Sequence, residues 1–357
     1  EEVASNVPRL DYSDGGCPSL LLEPSRTNFD SQSTNFSTSF MSNSFGISSS
    51  VLTSEIAPDG SVNSVYKITK VTDHSDPYLG RSGLGFSNNN MVFSVWLWTD
   101  SNQPKDALFL VYRDATQEVQ TKIITLTTTP TRYFIDANFS TTPSTVSYRI
   151  DLSGIESNQY IYAWGKQLEV GSYATSYIKT IGTTQSRSAD TANGAGNAST
   201  FNDSEGVLML EISALADDNI SQRISISDST ANNHISIDVS EYTDTIIGRV
   251  RSSNTEYAFM VVGGVAESNT NKIALKYKSN DCSLWINGLK LAIDTSVAMP
   301  IGLLELSFDK GQNSNPFYGN TKQIQYFDSA LNDSDLEKLT SWTSFTAMAN
   351  AQSYTII

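Results

Sequence analysis

Tyr160-Ile-Tyr-Ala-Trp-Gly-Lys-Gln-Leu-Glu-Val-Gly-Ser-Tyr-Ala-Thr-Ser-Tyr-Ile178 and Phe317-Tyr-Gly-Asn-Thr-Lys-Gln-Ile-Gln-Tyr-Phe-Asp-Ser-Ala-Leu-Asn-Asp-Ser-Asp-Leu-Glu-Lys-Leu339 are the two stretches on which the fold turns. In the first, Tyr160, Tyr162 and Trp164 alternate with Ile161 and Ala163, so that successive side chains fall on opposite faces of a strand. In the second, a strand ending Ile324-Gln-Tyr-Phe327 gives way to Ser334 and, three residues on, Glu337. That spacing is a capping-box pattern, in which hydroxyl and carboxylate satisfy free amides of a first helical turn, and it predicts a short helix from Asp335 to about Trp342. Each stretch reads as the closing strand of a β-sandwich.

Working outward, residues 28–181 hold short alternating strands. Met91 to Thr99 puts Phe93, Val95 and Leu97 on one face and Ser94, Trp96 and Trp98 on the other, so both faces are apolar, as in a strand between layers. Ala107 to Asp114, Lys122 to Thr127, Arg132 to Ala137 and Thr145 to Asp151 continue the series. Residues 182–204 are small and polar and read as a linker. Beyond it, Val207 to Ala214, Arg223 to Ser227, Ile235 to Val239, Thr245 to Val250, Tyr257 to Val262 and Lys272 to Lys278 form a second set of strands. Asn287-Gly288 joins Asp281 to Asn287 with Leu289 to Asp294, a pair suited to the positive backbone angles of a tight hairpin turn. Residues 1–27, broken by Pro8, Asp14-Gly15-Gly16, Pro18 and Pro24, read as an extended lead-in strapped to the first domain. The expected architecture is all-β: two tandem β-sandwich, jelly-roll domains, 28–181 and 205–357, with a short C-terminal helix.

Composition agrees. At 357 residues the chain suits two domains of ordinary size, and charged residues make up only 17%. A net charge of −15 repels phosphate backbones, which argues against nucleic acid as a partner. The carboxylates suit calcium, a hard cation that takes oxygen ligands, although an acidic surface also simply keeps a protein soluble; no cofactor is required by any motif. Cys17 and Cys282 fit no metal-ligand spacing and are expected to be free, mostly buried thiols. No run of about twenty apolar residues predicts membrane insertion. The chain starts at Glu1 without a basic-then-apolar leader, as expected of a fragment or processed product whose missing part holds an anchoring or oligomerising element.

Reactive constellations are sparse. His74 falls in a polar loop and His234 at a strand edge, and no Gly-x-Ser-x-Gly turn supplies an activated serine for either. The strand motif Glu-x-Asp-x-x-Glu of sandwich glycosidases is absent, and Asp333-Ser-Asp-Leu-Glu337 sits where acids complement a helix dipole. Sixteen tyrosines offer candidates for lyase chemistry without selecting one. The chain is therefore expected not to be an enzyme.

Two segments carry a family resemblance. Pro8-Arg-Leu-Asp-Tyr-Ser-Asp-Gly-Gly-Cys-Pro-Ser-Leu-Leu-Leu-Glu-Pro-Ser-Arg-Thr-Asn28 resembles a phrase common in phage tail and fibre proteins just upstream of a carbohydrate-binding-like module, and Gln167 to Gly171 matches the Gln-Leu-Glu-x-Gly that closes such jelly rolls. Ser283-Leu-Trp-Ile-Asn-Gly-Leu-Lys-Leu291, the strand ending Ile324-Gln-Tyr-Phe327 and the helix after it look like a laminin-G or concanavalin-A-like lectin fold over roughly residues 205–340. The resemblance implies a tail or head fibre on the virion surface that attaches to host-surface glycans, contacts other virion proteins and forms a homotrimer. Two alternatives stay open: binding modules of a secreted bacterial polysaccharide-degrading enzyme, and a structural decoration protein that binds no sugar.

The candidate glycan contacts are aromatic. Tyr160, Tyr162 and Trp164 share one face, as do Trp96 and Trp98, so the first module either presents a flat platform for sugar rings or packs these side chains into the layer between sheets. In the second module Trp285 points opposite to Leu284 and Ile286 beside a turn, and Asp228, Asn232, Asn233 and Asp309 are polar loop residues of ligand-binding type.

Overall fold

The computed structural model describes residues 7–353 apart from 14–15, 42, 72–73, 75, 102–105, 114–117, 218 and 240, so Asp114, at the end of one expected strand, lies outside the described residues. Among the described residues one compact unit is Ser25–Ser188, and the other joins residues 7–24 to residues 189–353.

The first unit is a two-layer β-sandwich. One described sheet runs, edge to edge, Val119–Thr125, Asp106–Arg113, Thr145–Asp151, Tyr78–Gly85, Asn43–Phe45; the other runs Thr131–Asn138, Asn90–Trp98, Tyr160–Val170, Val65–Lys70, Ile47–Leu52. All these pairings are antiparallel. The layer between them is filled as alternation dictates: Phe93, Val95 and Leu97 meet Leu79, Val146, Tyr148 and Ile150, with the Phe93 and Tyr148 rings stacked at 4.0 Å.

A bulge in Tyr160–Val170 shifts the register between Trp164 and Gln167. Gly165 there has φ +63°, and a Cβ on it would lie 2.9 Å from the Trp96 ring, so glycine is required. The extra residue swaps the parity of the strand: Ile161 and Ala163 face the core before it, Leu168 after it. Lys166 is thereby turned inward and fully buried. Its ammonium donates to the carbonyls of Gln32 and Asn35 and lies 3.5 Å from the Asp30 carboxylate, which also takes the Tyr148 hydroxyl. The ammonium and the carboxylate thus each have partners, which is the condition for burying charge.

In the second unit the larger described sheet runs Leu10–Asp11, Ser19–Leu22, Gly319–Phe327, Glu205–Ala214, Asn271–Lys278, Cys282–Ile286, Leu289–Asp294. The facing sheet runs Thr255–Gly263, Thr245–Ser252, His234–Val239, Gln222–Ser227, Glu305–Ser307. Leu208, Leu210, Leu275 and Leu284 pack against Ile224, Ile226, Ile235 and Ile237 to form its core. The hairpin at Asn287-Gly288 is present, with φ +52° and +88° at the two residues.

Three expectations are corrected. The lead-in belongs to the second unit, not the first: Ser19–Leu22 pairs with Gly319–Phe327, Leu22 enters the core, and Arg9 lies 3.3 Å from Glu23 and from Asp190. Residues 182–204 are not a free linker, because Gln185–Arg187 pairs with Arg26–Asn28 and Ala195 bridges to Leu306. Small polar side chains let a backbone lie close along a sheet edge, so a strap and a linker share one composition. The helix starts earlier than predicted: α1 is Asp333–Thr340, capped by Asn332, whose side chain accepts from the Asp335 amide at 3.0 Å, and a second helix, α2 (Phe345–Ala351), follows with Ser344 as its cap.

The cysteines are both free, but only Cys282 is buried, and burial pushes its thiol up to about 11; Cys17 is exposed. A thiol reagent should therefore titrate one cysteine in the native chain and two after denaturation. Two native equivalents would contradict the placement of Cys282.

Candidate functional site

The predicted aromatic residues of the first unit do lie together, on the face of the Asn90–Trp98 and Tyr160–Val170 pair that points away from the core. Register sets Tyr162 opposite Trp98 and Trp164 opposite Trp96. The rings are in contact, Trp96 with Trp164 at 5.0 Å, Trp98 with Tyr162 at 5.6 Å and Tyr160 with Tyr162 at 5.5 Å.

This face is neither an open platform nor the layer between sheets. Val65 and Leu52, from the neighbouring strands of the same sheet, flank it and Ala57 and Tyr177 pack with it, leaving Trp98 and Trp164 only 4% and 1% exposed. Both tryptophans are thus corrected from glycan contacts to members of a second, smaller core. Trp96 is half-buried beneath the Arg132 guanidinium, 4.6 Å from its ring.

What stays partly exposed is the end of the row. Both Tyr160 and Tyr162 donate their hydroxyls to one Asp100 carboxylate oxygen, at 2.6 and 3.1 Å, and the Lys67 ammonium sits 3.6 Å from the centre of the Tyr160 ring. Burial, and then the bond to Asp100, raises the Tyr162 phenol; for Tyr160 the bond to Asp100 is the main cause of its rise. The phenols therefore remain protonated near neutrality and act as donors, while the carboxylate keeps lone pairs for further hydroxyls. Asp100 and Lys67 were not singled out from sequence. The available signal was positional: Asp100 lies two residues beyond the strand Asn90–Trp98, whose antiparallel neighbour starts at Tyr160.

The second unit's predicted contacts are internal. Trp285, 5% exposed, packs among Val207, Met209, Ala274 and Leu336 beneath α1, and its indole donates to Ser283 at 3.1 Å. It too is corrected from a glycan contact to a packing residue. Asp228 accepts from Thr230 and Asn233, Asn233 accepts from the Ser253 amide, the Asn232 amide donates to Thr230, and buried Asp309 accepts from the amides of Gly311 and Asn313. These bonds hold loops in shape.

The acid groups with metal-like geometry lie elsewhere. Carboxylate oxygens of Asp217, Asp244 and Glu267 come within 4.8 Å of one another, brought together from the three loops after Glu205–Ala214, His234–Val239 and Thr255–Gly263. An all-oxygen donor set suits a hard cation such as calcium. Backbone amides already enter the cluster, from Asp244 to Asp217 at 3.0 Å and from Thr245 to Glu267 at 2.7 Å. Sequence spacing could not show it, since each carboxylate is on a different loop.

The two histidines sit in different surroundings. Burial, with Arg223, Arg251 and Lys310 nearby, lowers His234 to about 3, so it is neutral at physiological pH. On the same strand, Asp238 is buried between Arg223, at 2.9 Å, and Arg249, an ion-pair network across the adjacent strands Gln222–Ser227, His234–Val239 and Thr245–Ser252. His74 is exposed and accepts from the Asp76 amide at 3.1 Å.

No protein-family model matches the chain, and no curated protein matches it. Among solved structures it is similar to domain 4 of AbnA, a GH43 extracellular arabinanase from Geobacillus stearothermophilus, in complex with arabinotriose, with 13% identity over 44% of this chain and 73% of that one and a TM-score of 0.33. It is also similar to the mouse laminin α1 chain domains LG4-5, at 7% identity over 73% of this chain and 92% of that one, TM-score 0.26. The N-terminal tandem CBM22 domain of Xyn10C from Paenibacillus barcinonensis gives 10% identity over 92% of this chain and 100% of that one, TM-score 0.31.

Proposed function

We propose that the chain is a non-enzymatic adhesion protein, the glycan-attachment part of a bacteriophage tail or head fibre, and that the Tyr160–Tyr162–Asp100–Lys67 edge of the first unit contacts host-surface sugar. The observation that carries the site is the pair of partly exposed phenols fixed on a single carboxylate. The Tyr160 ring face away from Lys67 takes the C–H side of a sugar, and Asp100 and Lys67 hold its hydroxyls. A homotrimer would present several copies of a weak site at once and raise retention through effective concentration.

Glycan-array binding tests this reading. The intact chain should retain a subset of bacterial surface saccharides, and the double variant Tyr160→Ala/Tyr162→Ala should lose at least about tenfold in affinity with an unchanged melting transition. Full retention by the double variant would remove the edge from the account. Retention confined to plant cell-wall polysaccharides would favour the secreted-enzyme module instead.

A further inference from the structure

Each sheet of the second unit has one edge that the chain protects and one that it leaves bare. In the facing sheet, Glu305–Ser307 is covered by residue 195: the amides of Ala195 and Leu306 donate to each other's carbonyls, at 3.1 and 2.7 Å. On the same side the larger sheet ends in a strand of two residues, Leu10–Asp11, too short to recruit another. The opposite edges are Thr255–Gly263, of nine residues, and Leu289–Asp294, of six, and among the described residues no further strand lies beside either. These two bare edges run close to one another along one flank of the sandwich.

Natural edges are blunted by charge, proline or a bulge. Thr255–Gly263 pairs with its inner neighbour without a register shift from Ala258 to Gly263, and Tyr257-Ala-Phe-Met-Val-Val-Gly263 holds no charge and no proline. Ala258, Met260 and Val262 enter the core, as alternation requires, whereas Tyr257, Phe259 and Val261 are exposed. On the adjoining edge Leu289, Leu291 and Ile293 are exposed as well. These six side chains, 40 to 64% exposed, present on the order of 600 Å² of mostly apolar surface, the upper end of what the largest patch on a monomer holds. The charged side chains of the two strands are engaged within the chain: Glu256 pairs with Arg249 at 2.7 Å, Lys290 pairs with Asp333 at 2.7 Å, and Asp294 accepts from the Ser296 amide at 3.0 Å.

Two edges side by side, one in each sheet, fit a partner that also ends in two edges. A single extended peptide would complete one and leave the other bare. A second copy of the chain completes both, because a two-fold axis normal to the sheets sets each edge strand antiparallel to itself and continues both sheets across the contact. Two such surfaces meeting would bury roughly 1,200 Å², the area at which stable interfaces begin.

We propose that the Thr255–Gly263 and Leu289–Asp294 edges form a two-fold contact between copies of this chain through continuous β-pairing. The contact is separate from the tyrosine edge and from the homotrimer of a fibre, since a three-fold axis cannot pair a strand with itself.

Sedimentation equilibrium of the intact chain, from about 1 to 100 µM, tests it. The mass should rise with concentration to a species with an even number of copies: two, or six where a trimer also forms. Val261→Lys/Leu291→Lys should halve that mass while leaving the melting temperature in dilute solution unchanged, because both side chains are exposed. Ile123→Lys/Ile181→Lys, the same change at exposed apolar residues of the first unit, should leave the mass as it is. In the wild type, amide exchange within residues 255–263 should be slower at the concentrated end of the range than at the dilute end. A mass that stays at one or three copies, a mass untouched by Val261→Lys/Leu291→Lys, or exchange independent of concentration overturns the proposal. Halving by Ile123→Lys/Ile181→Lys alone would place the contact in the first unit and equally overturn it.

Discussion

Replacing Trp164 by alanine should cost the first unit about 3–5 kcal/mol, the loss expected when a large buried ring leaves a cavity. The ring is 1% exposed, with Trp96 and Tyr177 at 5.0 and 4.7 Å. Gly165, held at positive φ against Trp96, keeps the strand from shifting to close the gap. Denaturant titration monitored by tryptophan fluorescence should show an early transition in this variant, with glycan retention lost along with the fold. Tyr160→Ala, whose ring is partly exposed, should lose retention while keeping a native transition. A Trp164→Ala protein that unfolds like wild type would show that the packing of Ala57 and Tyr177 against this face is not formed in solution.

Lys166→Met should be comparably severe, about 3–5 kcal/mol, because it removes a cation from beside a buried carboxylate and leaves two carbonyls without the ammonium they now accept from. The same residue gives the wild type a pH signature. Burial lowers its pKa from 10.5 to about 8, so between those values the unfolded chain binds more protons than the folded one, and folding stability rises with pH across that window. Below about 8 both states carry the charge and the residue contributes no slope. Buried phenols such as Tyr177, raised above their ordinary range, act oppositely above pH 10, since the unfolded chain releases their protons first. They are present in both proteins, so the difference between wild type and Lys166→Met isolates the lysine. A difference that stays flat from pH 8 to 10.5 would place Lys166 in contact with solvent.

The β-sandwich class was legible because alternation and turn chemistry are local. Phe93, Val95 and Leu97 face the core as their spacing requires, and Asn287-Gly288 turns the chain as those residues must. What alternation cannot show is what lies over an outer face. Alternation put Trp96 with Trp98 and Trp164 with Tyr160 and Tyr162, but only the strand register brings the two sets onto one face, and the segment around Ala57 packs with them there. The lead-in was assigned by adjacency in sequence, whereas Leu20 and Leu22 find the open edge of Gly319–Phe327, nearly three hundred residues away. The helix start moved because Asn332, two residues before Ser334, is an equally good cap whose amide reaches the Asp335 carboxylate at 2.7 Å. The Asp100 site, the adjoining bare edges of the second unit and the Asp217–Asp244–Glu267 cluster are assembled from separate segments, and single-sequence spacing carries no trace of such meetings.

The central claim is adhesion without turnover, and it is tested by incubating the intact chain with a polysaccharide it retains, then measuring retention and polymer length together. The account predicts a saturable bound fraction, undiminished over time, with no new reducing or unsaturated ends and no change in polymer length. Progressive shortening of the polymer by purified protein would contradict it.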